Sequence, residues 1–449
     1  LEADGGTNYQ DKILQTGLSH NLAVSASGSE GKINYFISGN YRDEEGIVIN
    51  TGYEQLSLRS NIGTEIGERV SINLNLYGSR SKTQNNFQTF GNGQGSLMYK
   101  ANTWDPTTPI FDENGEFNLR STRGIASLND NPVRTLTESD FQDVNERLNT
   151  ALNINYKFSD HFSYTFGAGS QFNIITQQLY AVDVGYDFLP HTSFFNNKFN
   201  TLQLSNILTW EQDFGIHNIK VTGVQEFQNN TFQRNAYNSN DLSLPKGFYF
   251  AELAPNAGQT ISNDFNERRL SSYMLRAEYV LNNNLLVTAT GRYDGSSVFR
   301  PGNKWGFFPS LAVAYSLDDW VTNLPGFTSL KIRAGWGQVG NQAVDPFSTF
   351  ATLRFNNYAF DGSSASAGTV LNSFENQDLT WETTSQVNIG IDVGFLEGRG
   401  NLSLDGYQKT TTDLLLNVPV LEVNGGGTIT QNVGEVENFG IDLGLDYIV

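Results

Sequence analysis

The segment QVNIGIDVGF, residues 386–395, alternates strictly between large apolar side chains and small or polar ones. Val387 and Ile389 occupy alternate positions, and Asn388 and Gly390 lie between them. Successive side chains of a β-strand point to opposite faces, so this period of two predicts a strand with one apolar and one polar face. The segment alone leaves open which of the two faces is covered by protein.

The same alternation recurs along the whole chain and predicts fifteen strands, with no convincing helix apart from a helical turn within 8–17. The predicted strands lie at 21–27, 33–42, 53–63, 70–79, 148–158, 162–174, 199–214, 217–227, 270–281, 285–296, 307–317, 329–338, 386–395, 400–410 and 439–448. The predicted fold class is therefore all-β.

Short and long connections between these strands alternate, with one intermediate connection at 317–328. An up-and-down antiparallel sheet places all its short turns at one end, as transmembrane β-barrels do, whereas strands of soluble sandwiches are typically shorter than the ten to thirteen residues frequent here. We therefore predict a transmembrane up-and-down β-barrel, with a large soluble sandwich or propeller as the alternative. The predicted long extracellular loops are residues 80–147, 175–198, 228–269, 339–382 and 411–433.

In such a barrel the apolar face contacts lipid and the polar face lines a hydrated lumen. The charged side chains of Arg276, Glu278, Arg292 and Asp294 are then predicted to face the lumen. Aromatic side chains near strand ends are predicted to form the girdles at the membrane interfaces. They are Tyr35, Tyr41, Tyr156, Phe158, Tyr279, Tyr293 and Phe395.

Composition excludes several classes of function. The net charge of −19 argues against a nucleic-acid partner, and the absence of cysteine excludes disulfides and thiolate metal sites. Catalytic motifs built on histidine, serine or a phosphate-binding loop are missing, so we predict that the chain is not an enzyme and has no catalytic, cofactor or metal residues. The chain has only four histidines, at positions 20, 161, 191 and 217.

Two short segments weakly resemble ligand-binding loops. DENGE at 112–116 lacks the full ligand spacing of a calcium loop, so a polar turn is the preferred interpretation. LEVNGGGTI at 421–429 has no helix after its glycines and is interpreted as a loop tip. Loops rich in aromatic and amide side chains, such as 85–106 and 244–253, would suit sugars or peptides, or would only fold over one another as a cap.

The segment RYDGSSVFRPGNKWGFFPSLAVAYSL at 292–317 resembles the SusC/RagA-like branch of TonB-dependent outer-membrane transporters of Bacteroidetes. Further segments resemble that family in the same order. They are 8–28, 32–48, LKIRAGWGQVGNQ at 330–342, NQDLTWETTSQVNIGIDVGFLEGR at 376–399, 407–420 and 432–445. Residues 340–342 and 381–382 match landmarks of the family, and we expect them to be structural.

The resemblance implies a 22-stranded barrel in the bacterial outer membrane that imports an oligomeric nutrient, either a glycan or an oligopeptide. It also implies a SusD-like lipoprotein lid and energy from the TonB–ExbB–ExbD complex, transmitted through a plug domain. Residues 1–16 would be a linker following a missing plug, and residues 17–449 an incomplete barrel whose open edges another piece should seal. The alternative function is a receptor or adhesin that binds through its loops without transport. The resemblance assigns no substrate-binding residues.

Overall fold

The structure, a computed structural model, describes most of the chain. The described residues are 6–85, 97–119, 131–181, 191–240, 260–321, 324–358, 366–421, 423 and 426–448. In chain order the elements are α1 (Tyr9–Ile13), β1 (Ser19–Glu30), β2 (Ile33–Glu45), β3 (Gly52–Ile66), β4 (Val70–Gln84), α2 (Leu97–Thr103), α3 (Pro132–Glu138), β5 (Asp140–Lys157), β6 (Phe162–Ala181), β7 (His191–Phe214), β8 (His217–Asn240), β9 (Thr260–Leu281), β10 (Leu285–Ser296), β11 (Trp305–Ser316), α4 (Asp318–Val321), β12 (Phe327–Asn341), β13 (Thr352–Tyr358), β14 (Ser366–Ser373), β15 (Glu382–Phe395), β16 (Gly400–Thr412), β17 (Leu415–Pro419), β18 (Thr428–Asn432) and β19 (Glu435–Tyr447).

Fifteen of these strands form one antiparallel sheet in the order β1 to β12, β15, β16, β19. Each of the fifteen strands predicted from the sequence overlaps one strand of this sheet, which confirms the all-β, up-and-down prediction. The strands β1 and β19 are its two edges, and they do not pair with each other in the described part of the chain. The sheet is therefore not closed into a barrel within these residues.

Tight turns join strand pairs at one end of the sheet. Between β9 and β10, Asn282 and Asn283 adopt φ angles of 49° and 60°. Asparagine tolerates this left-handed region better than most residues, and it suits the twist of a two-stranded hairpin. The intermediate connection at 317–328 contains α4, where the Asp318 carboxylate accepts the backbone N–H of Leu330 at 2.9 Å.

The register of the sheet keeps apolar side chains on one face. Ile391 pairs with Ile332 on β12 and with Leu404 on β16, and Leu404 pairs with Leu443 on β19. The side chain of Ile389 is 60% exposed and that of Leu443 is 70% exposed. The described part of the chain therefore leaves this apolar face uncovered, which answers the question raised by residues 386–395.

Aromatic side chains cluster on the apolar face near both ends of the strands, as expected for interfacial girdles. Tyr293 stacks on Trp305 with ring centroids 4.7 Å apart at the end with the long connections. At the other end, Tyr156 contacts Phe158 edge-on at 4.7 Å and Tyr279 stacks on His217. The pairing register places six of the seven predicted girdle residues on the apolar face, and Phe158 lies in the turn after β5.

The four predicted inward charges lie together on the polar face. Arg276 donates to Glu278 at 2.7 Å, and Arg292 donates to both carboxylate oxygens of Asp294 at 2.9 Å. Their cross-strand neighbours, such as Thr288 and Thr290, are also polar. The four charged residues therefore share the face that was predicted to line the lumen.

Every predicted loop included residues of the fifteen-stranded sheet, most of all 175–198 and 228–269. β7 and β8 are each 24 residues long, so 175–181, 191–198, 228–240 and 260–269 belong to strands. These segments are rich in Asn, Gln and Thr on both faces, which removes the alternation that marks a strand. The backbone ladder nevertheless continues there, because ladder hydrogen bonds do not depend on side-chain polarity.

The predicted loops 339–382 and 411–433 fold against each other. They contribute a second, four-stranded sheet in the order β13, β14, β18, β17. Asn432 accepts the backbone N–H of Thr380 at 2.9 Å and donates to the carbonyl oxygens of Thr380 and Asp413 at 2.9 and 3.0 Å. These connections are thus structured, and sequence patterning missed their strands because each is short.

Three short helices pack into a compact apolar cluster beside the connection between β4 and β5. Its buried members are Tyr9, Ile13, Val48, Leu97, Ala101, Trp104 and Leu136. The helical turn predicted within 8–17 is α1, and the description of residues 1–16 as a linker is corrected for Tyr9–Ile13, which this cluster buries. No helix in the described ranges is long and apolar enough to cross a membrane.

Candidate functional site

A groove of about 650 Å³ lies on the polar face where β10, β11, β12, β15 and β16 run side by side. One cross-strand row defines it, and we call this site the polar groove. The row consists of Thr290, Ser310, Gly337, Gln386 and Lys409, each paired with the next across the sheet. Five strands between residues 285 and 412 therefore place hydroxyl, amide and ammonium groups in one line.

Small residues form the floor of the polar groove. A Cβ atom added to Gly337 would lie 3.1 Å from the Cβ of Ser310. One added to Gly335 would lie 2.8 Å from Oδ1 of Asn388. The glycines therefore leave open space at the middle of the row, and residues with longer side chains flank it.

One wall of the groove carries a cluster of paired charges. Arg292 donates to Asp294, to Glu226 at 3.2 Å and to the hydroxyl of Ser272 at 2.9 Å. Asp294 is nearly buried, and its carboxylate is held by this guanidinium. The opposite wall carries Lys409, which has no ion-pair partner among the residues that the structure describes.

A second ion cluster lies nearer the short turns. Arg333 donates to Asp392 at 2.7 and 2.8 Å and to Asp405 at 3.0 Å. Gly390 lies between Asp405 and Arg333 in the sheet, and an added Cβ there would overlap the Asp405 carboxylate. Glycine at 390 is thus needed for the close approach of these charges.

An aromatic cluster borders the groove at its long-connection end. Trp381 contacts Phe299 and Phe308 with ring centroids 5.3 and 5.5 Å apart. The other buried members of the cluster are Val298, Val344 and Leu379. Phe308 also lines the groove. Two segments that carried the family resemblance, 292–317 and 376–399, therefore meet in one core.

The landmark residues at 340–342 and 381–382 have structural contacts, as expected. Gly340 lies against the ring of Phe308 and leaves no room for a Cβ atom. Glu382 accepts the Asn341 side-chain amide at 3.0 Å and the backbone N–H of Leu415 at 3.1 Å. These groups join β12, β15 and the start of β17.

The loops predicted to bind ligand are only partly described. Within 85–106, Leu97, Ala101 and Trp104 are buried in the helical cluster rather than presented to a ligand. Residues 86–96 and the whole of 244–253 lie outside the described residues.

The polar segments that weakly suggested other chemistry form ordinary turns and pairs. Asp112 accepts backbone N–H groups from Asn114 and Glu116 at 2.8 and 2.9 Å, which forms a polar turn and lowers the pKa of its carboxyl. His161 contacts the carbonyl oxygen of Glu211, and His217 contacts the hydroxyl of Tyr279. The described ranges contain no group of His, Asp and Glu residues suited to a metal ion.

The polar groove was missed by sequence reasoning, although every strand that forms it was predicted. The alternation shows which side chains share a face but not which residues are neighbours across strands. The partner of Gln386 on β16 follows from the register alone.

Comparison with known proteins identifies a family. Residues 77–447 match the family model described as TonB dependent receptor-like, beta-barrel. TonB-dependent receptor P3 of Formosa agariphila is 32% identical over 99% of this chain and 45% of its own length. TonB-dependent receptor SusC of Bacteroides thetaiotaomicron is 27% identical over 99% of this chain and 47% of its own length.

Solved structures share the fold. The RagAB peptide transporter matches with a TM-score of 0.82 at 20% identity, over 99% of this chain and 50% of that chain. The siderophore receptor PirA from Acinetobacter baumannii matches with a TM-score of 0.54 at 15% identity, over 97% of this chain and 59% of that chain. The chain spans about half the length of the relatives it matches.

Proposed function

This chain belongs to the TonB dependent receptor-like β-barrel family, and from that premise we propose that it forms part of the wall of an active transporter that imports an oligomeric nutrient. Members of this family are outer-membrane proteins, so the predicted localisation and the predicted family are both confirmed. They are transport proteins rather than enzymes, which agrees with the prediction that this chain is not an enzyme.

The observation that carries the proposal is the two-faced sheet. Its apolar face exposes residues such as Phe439 and Ile441, and lipid is the environment that stabilises such a surface. Its polar face carries the polar groove, whose hydroxyl, amide and ammonium groups suit a hydrated path. A sheet with these two faces separates lipid from an aqueous lumen.

Energy coupling and the partner proteins would involve the whole protein. The whole protein would be a 22-stranded barrel whose plug domain receives energy from the TonB–ExbB–ExbD complex, and a SusD-like lipoprotein would cover its outer opening. Residues 17–449 would be barrel and extracellular connections. The ordered sheet formed by β13, β14, β17 and β18 supports a role for the connections in holding such a partner, because ordered surfaces bind with less loss of entropy.

The substrate is proposed to be an oligosaccharide or an oligopeptide. Both present many hydrogen-bonding groups, which match the hydroxyl and amide side chains of the polar groove. A peptide is the cargo named for the structurally similar RagAB transporter, which supports the peptide option by fold likeness alone.

Growth of a gene-deletion strain tests the proposal. Cells would receive either a partial hydrolysate of mixed polysaccharides or a tryptic digest of casein as the sole carbon source. We expect the deletion to abolish growth on one of the two, with restoration by the whole gene and the same defect in a strain lacking TonB. Growth that is independent of the gene, with surface binding of the nutrient retained, would instead favour a receptor or adhesin.

A further inference from the structure

A second hollow, of about 450 Å³, lies on the same polar face as the polar groove. It lies over strands β3 to β7, whereas the polar groove begins at β10. Carboxamide side chains dominate its lining, and we call it the amide hollow. The five carboxamides are those of Asn61, Asn75, Asn149, Gln171 and Gln203. Carboxamides both donate and accept hydrogen bonds, so each can satisfy a hydroxyl group in either role.

Two adjacent cross-strand rows build the amide hollow. The first row consists of Asn61, Asn75, Ala151, Gly169 and Gln203, each paired with the next across the sheet. Ala151 and Gly169 are the smallest members and occupy the middle of the row. They form a floor between amide-bearing sides, the same construction that glycines give to the polar groove.

The second row adds an aromatic ring and a charge. It consists of Arg59, Tyr77, Asn149, Gln171 and Thr201, in the same strand order. Arg59 is the one charged side chain in the lining of the hollow. Arg147 is the next residue of β5 on this face, two positions from Asn149, and it pairs with Ser79.

Guanidinium groups on the polar face differ in whether a carboxylate pairs with them, and Arg42 on β2 pairs with Glu44. Arg276, Arg292 and Arg333 on the polar face each contact a carboxylate within 3.2 Å. Arg59 and Arg147 contact none among the described residues, although the chain carries a net charge of −19. Arg147 donates only to the neutral side chain of Asn145, at 3.3 Å.

We propose that the amide hollow binds an acidic oligosaccharide, whose carboxylate or sulfate group pairs with Arg59 and Arg147. The guanidinium fork matches the geometry of both anions, and the carboxamides match ring hydroxyls. The strand spacing of about 4.8 Å places successive amides roughly one pyranose unit apart, and Tyr77 offers a ring face. An acidic peptide would also pair with the two arginines and bond to the carboxamides through its backbone, but it has no apolar sugar ring to lie on the Tyr77 ring.

This inference rests on the proposed import function and narrows its substrate class. Binding to the whole detergent-solubilised protein would be measured by isothermal titration calorimetry. The probes are tetramers of galacturonate and alginate, a sulfated carrageenan tetramer, uncharged maltotetraose and tetraglutamate. We expect at least one acidic tetrasaccharide to bind more tightly than maltotetraose and tetraglutamate, with an affinity that falls as salt rises. The carboxylated and sulfated probes identify which anion is recognised.

Variants locate the site. Arg59→Gln and Arg147→Gln should each weaken binding of the acidic tetrasaccharide by about tenfold, the scale of one charge-assisted hydrogen bond. Asn75→Asp places a like charge in the hollow at almost unchanged volume and should weaken the acidic ligand while sparing uncharged ones. Arg276→Gln removes a guanidinium from the same face on β9 and serves as the matched control, with no expected change. Retained heat-modifiable migration on gels would show that each variant folds.

The outcomes separate this inference from the import function. If maltotetraose or tetraglutamate binds as tightly as every acidic tetrasaccharide, if no probe binds, or if Arg59→Gln and Arg147→Gln lower stability without changing affinity, the inference fails. TonB-dependent growth on another nutrient would then still support import. If acidic tetrasaccharides bind through Arg59 but growth is independent of the gene, the site stands and the import function fails.

Discussion

The indole Nε1 of Trp381 donates a 2.9 Å hydrogen bond to the carbonyl oxygen of Lys304, a residue 77 positions earlier in the chain. The bond fixes the start of β15 to the turn between β10 and β11, while Phe299 and Phe308 pack on the indole ring. One side chain thus joins the segments that surround the long-connection end of the polar groove.

Two replacements of Trp381 should destabilise the protein to different extents. Trp381→Phe retains most of the packing and loses the hydrogen bond, at a cost of about 1 kcal/mol. Trp381→Ala also leaves a cavity and should cost about 3–5 kcal/mol in the free energy of unfolding. Urea unfolding of the detergent-solubilised protein measures both. Trp320→Ala is the control, since Trp320 is 79% exposed, and equal losses for Trp320 and Trp381 would contradict this account.

Gly390→Ala should disturb the ion cluster of Arg333. The added Cβ atom would overlap the Asp405 carboxylate and lie 3.0 Å from Cζ of Arg333, so the pair has to separate. We expect a loss of about 1–3 kcal/mol in the same unfolding assay, the usual range for overpacking. Gly406→Ala, on the neighbouring strand, meets nothing within 4 Å and should be nearly neutral. Identical midpoints for the two variants would show that the cluster does not require Gly390.

Asn432→Ala should detach β18 of the second sheet from Thr380 and Asp413. The substitution removes hydrogen bonds to the N–H and carbonyl groups of Thr380 and to the carbonyl of Asp413. Each contributes about 1 kcal/mol, so amide hydrogen exchange in Thr428–Asn432 should accelerate by at least about tenfold. Mass spectrometry of peptic fragments measures this rate. Asn401→Ala, in an exposed position beside a short turn, should leave it unchanged, and unaltered exchange in both variants would refute the proposed connection.

The helical cluster should loosen at alkaline pH. Burial raises the pKa of Tyr9 to about 12, against about 10 for an exposed phenol. The phenol is neutral in both folded and unfolded chains below pH 10, so its contribution to stability is complete there. It is lost as the pH rises from 10 through 12, because the unfolded chain ionises first.

Difference absorbance at 295 nm between the natural protein and Tyr9→Phe would isolate this phenol. The difference should titrate near pH 12. Tyr9→Phe should also lower stability at neutral pH by about 1 kcal/mol, since Tyr9 donates a 2.8 Å hydrogen bond to the carbonyl of Thr108. A difference signal that titrates near pH 10 would mean that Tyr9 is exposed.

Sequence periodicity predicted the fifteen-stranded sheet because most of its strands have one apolar face and one polar face. Residues 386–395 and 439–448 alternate without interruption, and both lie in strands of that sheet. Periodicity failed where both faces are polar. Gln177 bonds to Asp143 and Asn196 to Thr176, so hydrogen-bonded side chains there give strands without an apolar mark.

Neither the polar groove nor the amide hollow could be predicted from the sequence. Gly337 and Gln386 share the polar groove because a register fixed by many ladder bonds places them opposite each other. Ala151 and Gly169 meet in the amide hollow for the same reason. The sequence indicates that each residue faces the lumen, but a shift of register would change every neighbour.

The shared second sheet has a consequence for chimeras made by exchanging loops between relatives. β13 and β14 come from the connection before β15, whereas β17 and β18 come from the connection after β16. A loop grafted alone would keep its own hairpin but lose the bridge between Ser373 and Thr428, and Thr380 would lose the side chain that caps its backbone. Specificity should therefore transfer between relatives only when both connections are exchanged together, so that the two loops behave as a single heritable unit.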